Sequence, residues 1–133
     1  SSLLQLRLPL RLLADFRLLM IAEAENEVNG PTQKVYDAIN SIRRRAGQNE
    51  LKAGLTQDEM RHKIRHEWRV ETALEGLRYF EMKRWHILDE IENIKDPKFV
   101  DYQPKFEEKF YYWPLPQSEI DKAGGILIQN PNY

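Results

Sequence analysis

Hydrophobic and polar residues alternate with a helical period over most of the chain. From about Arg11 to Asn29 the apolar positions are dense (Leu18, Leu19, Ile21, Ala22) on a background of Ala and Glu. That pattern predicts a helix. Asn29-Gly30-Pro31-Thr32 is a stop-and-restart signal, with Gly30 suited to the left-handed position that ends a helix and Pro31 or Thr32 to the start of the next. Val35, Ala38, Ile39, Ile42 and Ala46 then fall on one face of a second helix, about Thr32 to Ala46. So short a connection predicts an antiparallel αα-hairpin, and no second copy of it is visible along the chain. Gly47 ends the second helix, and residues 48–55 read as a loop. Thr56-Gln57-Asp58-Glu59 fits a capping box opening a third helix, about Gln57 to Glu75. Gly76 is a break, and Leu77 to about Glu90 is again helical in composition.

Beyond Lys95 the texture changes. Pro97, Pro104, Pro114 and Pro116 punctuate a stretch rich in aromatics: Tyr102, Phe106, Phe110, Tyr111, Tyr112 and Trp113. Extended segments and turns packed on the helices are expected there. Ser118 is placed as the cap of a short turn to Lys122, and Ile126 to Tyr133 as extended chain. The expectation is a mainly α fold, a tetratricopeptide-like hairpin plus further helices with an irregular Pro/aromatic-rich C-terminal segment, in a single domain over residues 1–133.

Composition narrows the function classes. The 133 residues carry 20 Lys+Arg against 21 Asp+Glu, a formal net charge of -1, which argues against a general nucleic-acid binder. With 31% charged and 41% hydrophobic residues, the chain is too charged for an integral membrane protein and too apolar to be wholly disordered. It has no cysteine, which excludes a disulfide scaffold, a thiol nucleophile and cysteine-ligated zinc. The leucine-rich opening is interrupted by Gln5, Arg7 and Arg11, unlike a signal-peptide core or a bilayer span. It starts at Ser1 without an initiator methionine, as a processed chain or a fragment would.

The third helix holds the most informative pattern. Met60, Ile64, Trp68, Val70, Leu74 and Leu77 share one broad arc, with Glu67 and Glu71 in its middle. Carboxylates centred on an apolar face need a partner, because burying an unpaired charge is costly. A hydrolase would use such a pair as acid and base. A scaffold would neutralise them with arginine, whose planar fork suits a buried carboxylate. Arg43, Arg44, Arg45, Arg69, Arg78 and Arg84 are all available, so the scaffold reading is favoured. It predicts both glutamates largely buried and each within salt-bridge distance of an arginine.

His62 and His66 have metal-ligand spacing but lie off the apolar arc, and Glu67 follows them in the wrong order for HExxH, so solvated histidines are expected. Arg43, Arg44 and Arg45 with Arg61, Lys63 and Arg65 form a possible phosphate patch, diluted by Asp58 and Glu59. Tyr79, Phe80, Trp85, Tyr111, Tyr112 and Trp113 could stack on sugar rings, but at such density core is the favoured reading. No phosphate-cradling Gly-rich loop or GxSxG nucleophile is present.

Six ordered blocks carry a family resemblance. Leu18 to Ala24 with Asn26-Glu27 resembles the LLMYAEALNE helix of the SusD/RagB family. Ala38 to Gly47 resembles its AIN-x-VR-x-RAG helix end, and Glu67-Trp68-Arg69-Val70-Glu71 its E-R-R-x-E core, with Trp68 at the first arginine. Glu75 to Phe80 with Lys83-Arg84-Trp85 resembles EGHRFFDLRRW, with Leu77 where His is common. Trp113 to Ile120 resembles FPIPQSEI. Gln129 to Tyr133 resembles the closing QNPGY, with Asn132 replacing Gly. Residues 1–10 stand outside the match, and Ala14-Asp15-Phe16 resembles the family's helix start one residue out of step.

The resemblance implies the C-terminal portion of an outer-membrane, surface-exposed lipoprotein that binds glycans or other nutrients beside a SusC-like TonB-dependent transporter. It implies no bond cleavage and no cofactor, and a membrane attachment only through an N-terminal lipid anchor absent from this chain. The family's sugar-contacting residues vary and lie largely outside these blocks, so no catalytic, metal or ligand-binding residue is carried over. The alternatives are a tetratricopeptide-type scaffold for protein partners and, last, a hydrolase using Glu67 and Glu71. A fragment would also leave apolar helix faces without their normal cover.

Overall fold

The computed structural model describes residues 2–93 and 105–133, with side chains over 14–91 and 105–133. Pro97, Tyr102 and Pro104 lie outside the described residues. The described chain is helical and contains no strand. It forms two compact units, Ser1–Gly76 and Leu77–Tyr133.

The first unit is built from α1 (Ser2–Asn29), α2 (Gln33–Arg45) and α3 (Gln57–Glu71). Helix α1 starts well before the expected Arg11; the added stretch is mostly Leu, Gln and Arg, good helix formers, and runs through Pro9. It packs on both α2 and α3. Its inward stripe is Asp15, Leu19, Ala22 and Asn26; α2 contributes Val35, Tyr36, Ile39 and Ile42, and α3 Met60, Ile64 and Trp68. Each such aliphatic or aromatic side chain, fully buried, contributes roughly 1.5–3 kcal/mol.

Local signals set the boundaries. Gly30 has φ 77° and donates its N–H to the Asn26 carbonyl at 3.0 Å, closing α1. Gly47, at φ 70°, ends α2 in a Schellman turn, with Gln48 N–H on the Arg43 carbonyl at 2.8 Å. Thr56 and Glu59 form the expected capping box. The loop between α2 and α3 is anchored by α2 side chains. Asn40 accepts the Leu51 N–H at 2.8 Å, the Tyr36 hydroxyl accepts the Leu55 N–H at 3.0 Å, and Arg43 Nε donates to the Asn49 carbonyl at 2.7 Å.

Two expectations for α3 need correction. It stops at Glu71 rather than Glu75: the Thr72 hydroxyl donates back to the Trp68 carbonyl at 2.7 Å, and Leu74 takes a left-handed φ of 68°. The apolar arc is also narrower than expected. Val70 is 52% exposed and Leu74 fully exposed, because Val70 sits at the arc's edge and Leu74 beyond the helix.

The second unit centres on Met82 and Leu88, both buried. Helix α4 (Arg78–Arg84) is shorter than expected. It closes in a Schellman turn with His86 at φ 52° and Ile87 N–H on the Met82 carbonyl at 3.0 Å; a 3-10 turn, Leu88–Asn93, follows. A second 3-10 turn, Glu108–Tyr111, brings the Tyr111 hydroxyl to the Leu88 N–H at 3.1 Å. Helix α5 (Gln117–Lys122) opens at Pro116, not Ser118, and has no side-chain cap.

The tail 126–133 pairs with the Trp113–Pro116 segment through side chains. The Gln129 amide accepts from Leu115 N–H at 2.8 Å and donates to the Leu115 carbonyl at 3.0 Å. Asn130 donates to the Trp113 carbonyl at 2.6 Å, and the Tyr133 hydroxyl to that of Tyr112 at 3.1 Å.

Candidate functional site

The Glu67/Glu71 pair is the strongest chemical feature of the sequence, and its environment decides what it does. Glu67 is buried on α3 and receives a hydrogen bond from Arg43 Nη1 of α2. Glu71, one turn later, accepts from Arg45 Nη2 at 2.6 Å. The same Arg45 nitrogen lies 2.9 Å from Asp15 Oδ2 on α1. Three carboxylates and two arginines thus tie all three helices together. Both glutamates are largely buried and each meets an arginine, as the scaffold reading predicts. Each glutamate gives one carboxylate oxygen to an arginine of the neighbouring helix, an arrangement that holds α2 and α3 in register.

Asp15 is the member that sequence reading missed. The available signal was its spacing: Asp15, Leu19, Ala22 and Asn26 make one helical stripe, and an acid in it requires a cation. Asn26 was missed for the same reason. It is fully buried, donates to the Gln57 carbonyl at 3.1 Å, and its own carbonyl accepts from Gln57 Nε2 at 2.6 Å. The end of α1 is thereby fastened to the start of α3.

The remaining candidates do not assemble. His62 and His66 are both exposed, and no group of three potential metal ligands occurs among the described residues. The basic patch is divided among carboxylates: Arg43 and Arg45 as above, Arg44 with Glu50, and Arg61 with Glu27 and Asp58. Hydrogen bonding to Glu27 holds the Arg61 guanidinium still more firmly protonated, and the same bond holds Glu27 below the ordinary carboxylate value.

The favoured core assignment of the aromatics is overturned. None of Tyr79, Phe80, Trp85, Tyr111, Tyr112 and Trp113 is buried, and Phe80 and Trp113 are 55% and 63% exposed. Lys83 stands over two of these rings, 5.9 Å from Tyr79 and 5.4 Å from Trp113.

Comparison with known proteins agrees with this picture of a shared scaffold. The family model for the SusD family matches residues 10–133. SusD-like protein P2 of Formosa agariphila is 31% identical over 124 residues, which is 87% of this chain and 24% of that protein. SusD-like protein P25 of the same organism is 36% identical over 118 residues, 84% of this chain and 21% of that protein. A crystal structure of a SusD homolog from Bacteroides thetaiotaomicron superposes with a TM-score of 0.67 at 28% identity, covering 87% of this chain and 25% of that one. The chain thus spans about a quarter of the length of the relatives it matches. With the match running through nearly every described element, this chain belongs to the SusD family.

Proposed function

We propose that this chain is the C-terminal portion of a non-catalytic, glycan- or nutrient-binding protein of a SusC/SusD-type uptake system. The observation that carries the reading is the family match over residues 10–133. The pairing of Glu67 and Glu71 with arginines of α2 supports a structural role for them over one in hydrolysis. In this reading the protein is a lipoprotein on the outer face of the outer membrane, and its partner is a TonB-dependent transporter barrel. Among the described residues no helix is long and apolar enough to cross a membrane, and in this reading attachment is by a lipid anchor elsewhere in the polypeptide.

The test is a panel of oligosaccharides offered to the full gene product that carries this chain. Calorimetry would score binding, and chromatography of the same mixtures would score cleavage. Saturable binding with the oligosaccharide recovered intact is expected. Products that disappear in Glu71→Gln would establish a hydrolase instead. Binding to no glycan, with a protein partner retained, would favour the tetratricopeptide-type scaffold.

A further inference from the structure

Asn29 and Gly30 make the only Asn-Gly pair in the chain. Such a pair is open to spontaneous chemistry. The backbone nitrogen after the Asn attacks its side-chain carbonyl carbon, ammonia leaves, and a cyclic succinimide closes. Water then opens the ring to aspartate or isoaspartate. Glycine, lacking a Cβ, leaves the attacking nitrogen unobstructed. Asn29 is exposed at the last position of α1, so water reaches the site.

The fold of the turn opposes each part of this reaction. The attacking nitrogen must first lose its proton, and the Gly30 N–H is donated to the Asn26 carbonyl at 3.0 Å. A proton held in this way leaves only when the hydrogen bond opens. The reacting carbon is also aimed the wrong way. Helical side chains lean toward the start of their helix. Asn29 Nδ2 accordingly donates one turn back, to Glu25 Oε1 at 3.0 Å, while the Gly30 nitrogen lies toward the helix end. Glu25 is itself held from across the turn, by the Thr32 hydroxyl at 3.2 Å and Lys34 Nζ at 3.4 Å. Thr32 stands at the cap position of α2 but makes no side-chain cap there; its hydroxyl goes to Glu25 instead. The hydrogen bond from Asn29 is the largest cause holding the Glu25 carboxyl below its ordinary value. Glu25 is therefore charged at the mildly alkaline pH that speeds succinimide closure.

We infer that Asn29 is a deamidation site and that Glu25, fastened by Thr32 and Lys34, is the latch that keeps it closed in the folded protein. Opening of the α1–α2 turn frees the Gly30 nitrogen and the Asn29 side chain together, and the reaction then proceeds. Its product places a second carboxylate one turn from Glu25, at the negative end of the α1 dipole. Both placements are unfavourable, so a turn once modified is loosened.

The test follows the mass of the Asn29 peptide while the full gene product is incubated in mildly alkaline buffer, folded or unfolded in urea. The folded protein should deamidate at least about tenfold more slowly than the unfolded one. Folded Glu25→Ala, checked by circular dichroism, should react at least about fivefold faster than the folded parent. Glu25→Gln keeps an oxygen for Asn29 to donate to and should be slower than Glu25→Ala. Thr32→Val removes one contact that holds Glu25 and is the milder second variant should Glu25→Ala not fold; it should shift the rate in the same direction. Thr56→Ala weakens a different helix end and should leave Asn29 at the parent rate. Folded parent protein reacting as fast as the unfolded chain would overturn the inference. So would parent rates in both Glu25→Ala and Thr32→Val, since the helix alone would then protect Asn29. Equal acceleration by Thr56→Ala and Glu25→Ala would overturn it too, in favour of general unfolding.

Discussion

Glu67 lies among Met60, Ile64 and Trp68, where an unpaired charge would not be tolerated, and Arg43 reaches it from the neighbouring helix. Removing one partner of such a pair strands the other, at a cost of ~3–5 kcal/mol. Glu67→Ala should therefore lower stability by about that amount, read by chemical denaturation. Arg44→Ala, on an exposed pair with Glu50, should change it by less than ~1 kcal/mol. Three exposed or half-buried carboxylates add a dependence on acid. Hydrogen bonds from Asn29, Arg61 and the Thr56 N–H hold Glu25, Glu27 and Glu59 respectively below the ordinary value of 4.5. A carboxyl depressed on folding adds stability that is complete above its unfolded pKa and is lost as pH falls through the folded one. The melting temperature should stay level from neutrality down to about pH 5 and fall progressively below it. At this scale the sequence spoke clearly where a residue broke a pattern. Glu67 and Glu71 announced themselves because they interrupt an apolar face. Asp15 did not, because its partner Arg45 is thirty residues away in the chain.

Three helix boundaries that the sequence marks with a dedicated device are readable, whereas the expected cap at Ser118 is not used. Gly30 and Gly47 adopt the left-handed conformation at helix ends, and Thr56 with Glu59 caps α3. Thr56→Ala should cost ~1 kcal/mol by removing the hydroxyl that accepts the Glu59 N–H. Boundaries set by tertiary context were not readable. Helix α4 ends at His86 in a left-handed position without a glycine, and α3 ends four residues before its expected stop. The tail explains one departure from the family pattern. Asn132 stands where glycine is usual and has φ 71°, a region that asparagine tolerates better than other side chains. Asn132→Gly should be near neutral, while Asn132→Val should lose roughly 1–2 kcal/mol in thermal unfolding, the cost of a left-handed conformation at a residue with a branched Cβ.

On the scale of the whole molecule, the family's shared residues describe a frame. Asn40 and Arg43 of the second block anchor the loop after α2, Arg45 bridges Asp15 and Glu71, and Gln129, Asn130 and Tyr133 of the last block fasten the tail to Tyr112, Trp113 and Leu115. The mainly helical class and the hairpin could be derived from periodicity, because that signal is local. The surface could not. Whether an aromatic is core depends on what else covers it, and this chain spans about a quarter of its relatives' length. Trp113 and Phe80 read as core by composition and stand exposed in the described unit. Glu67 and its arginine hold α2 and α3 together, and a double-mutant cycle on Arg43→Met and Glu67→Gln, with stability and glycan affinity measured on every variant, probes that role. A coupling energy of about 1–3 kcal/mol in stability is expected, with glycan affinity unchanged in every variant that remains folded. Additive effects on stability, together with loss of binding or of turnover in a fully folded Glu67→Gln protein, would contradict it.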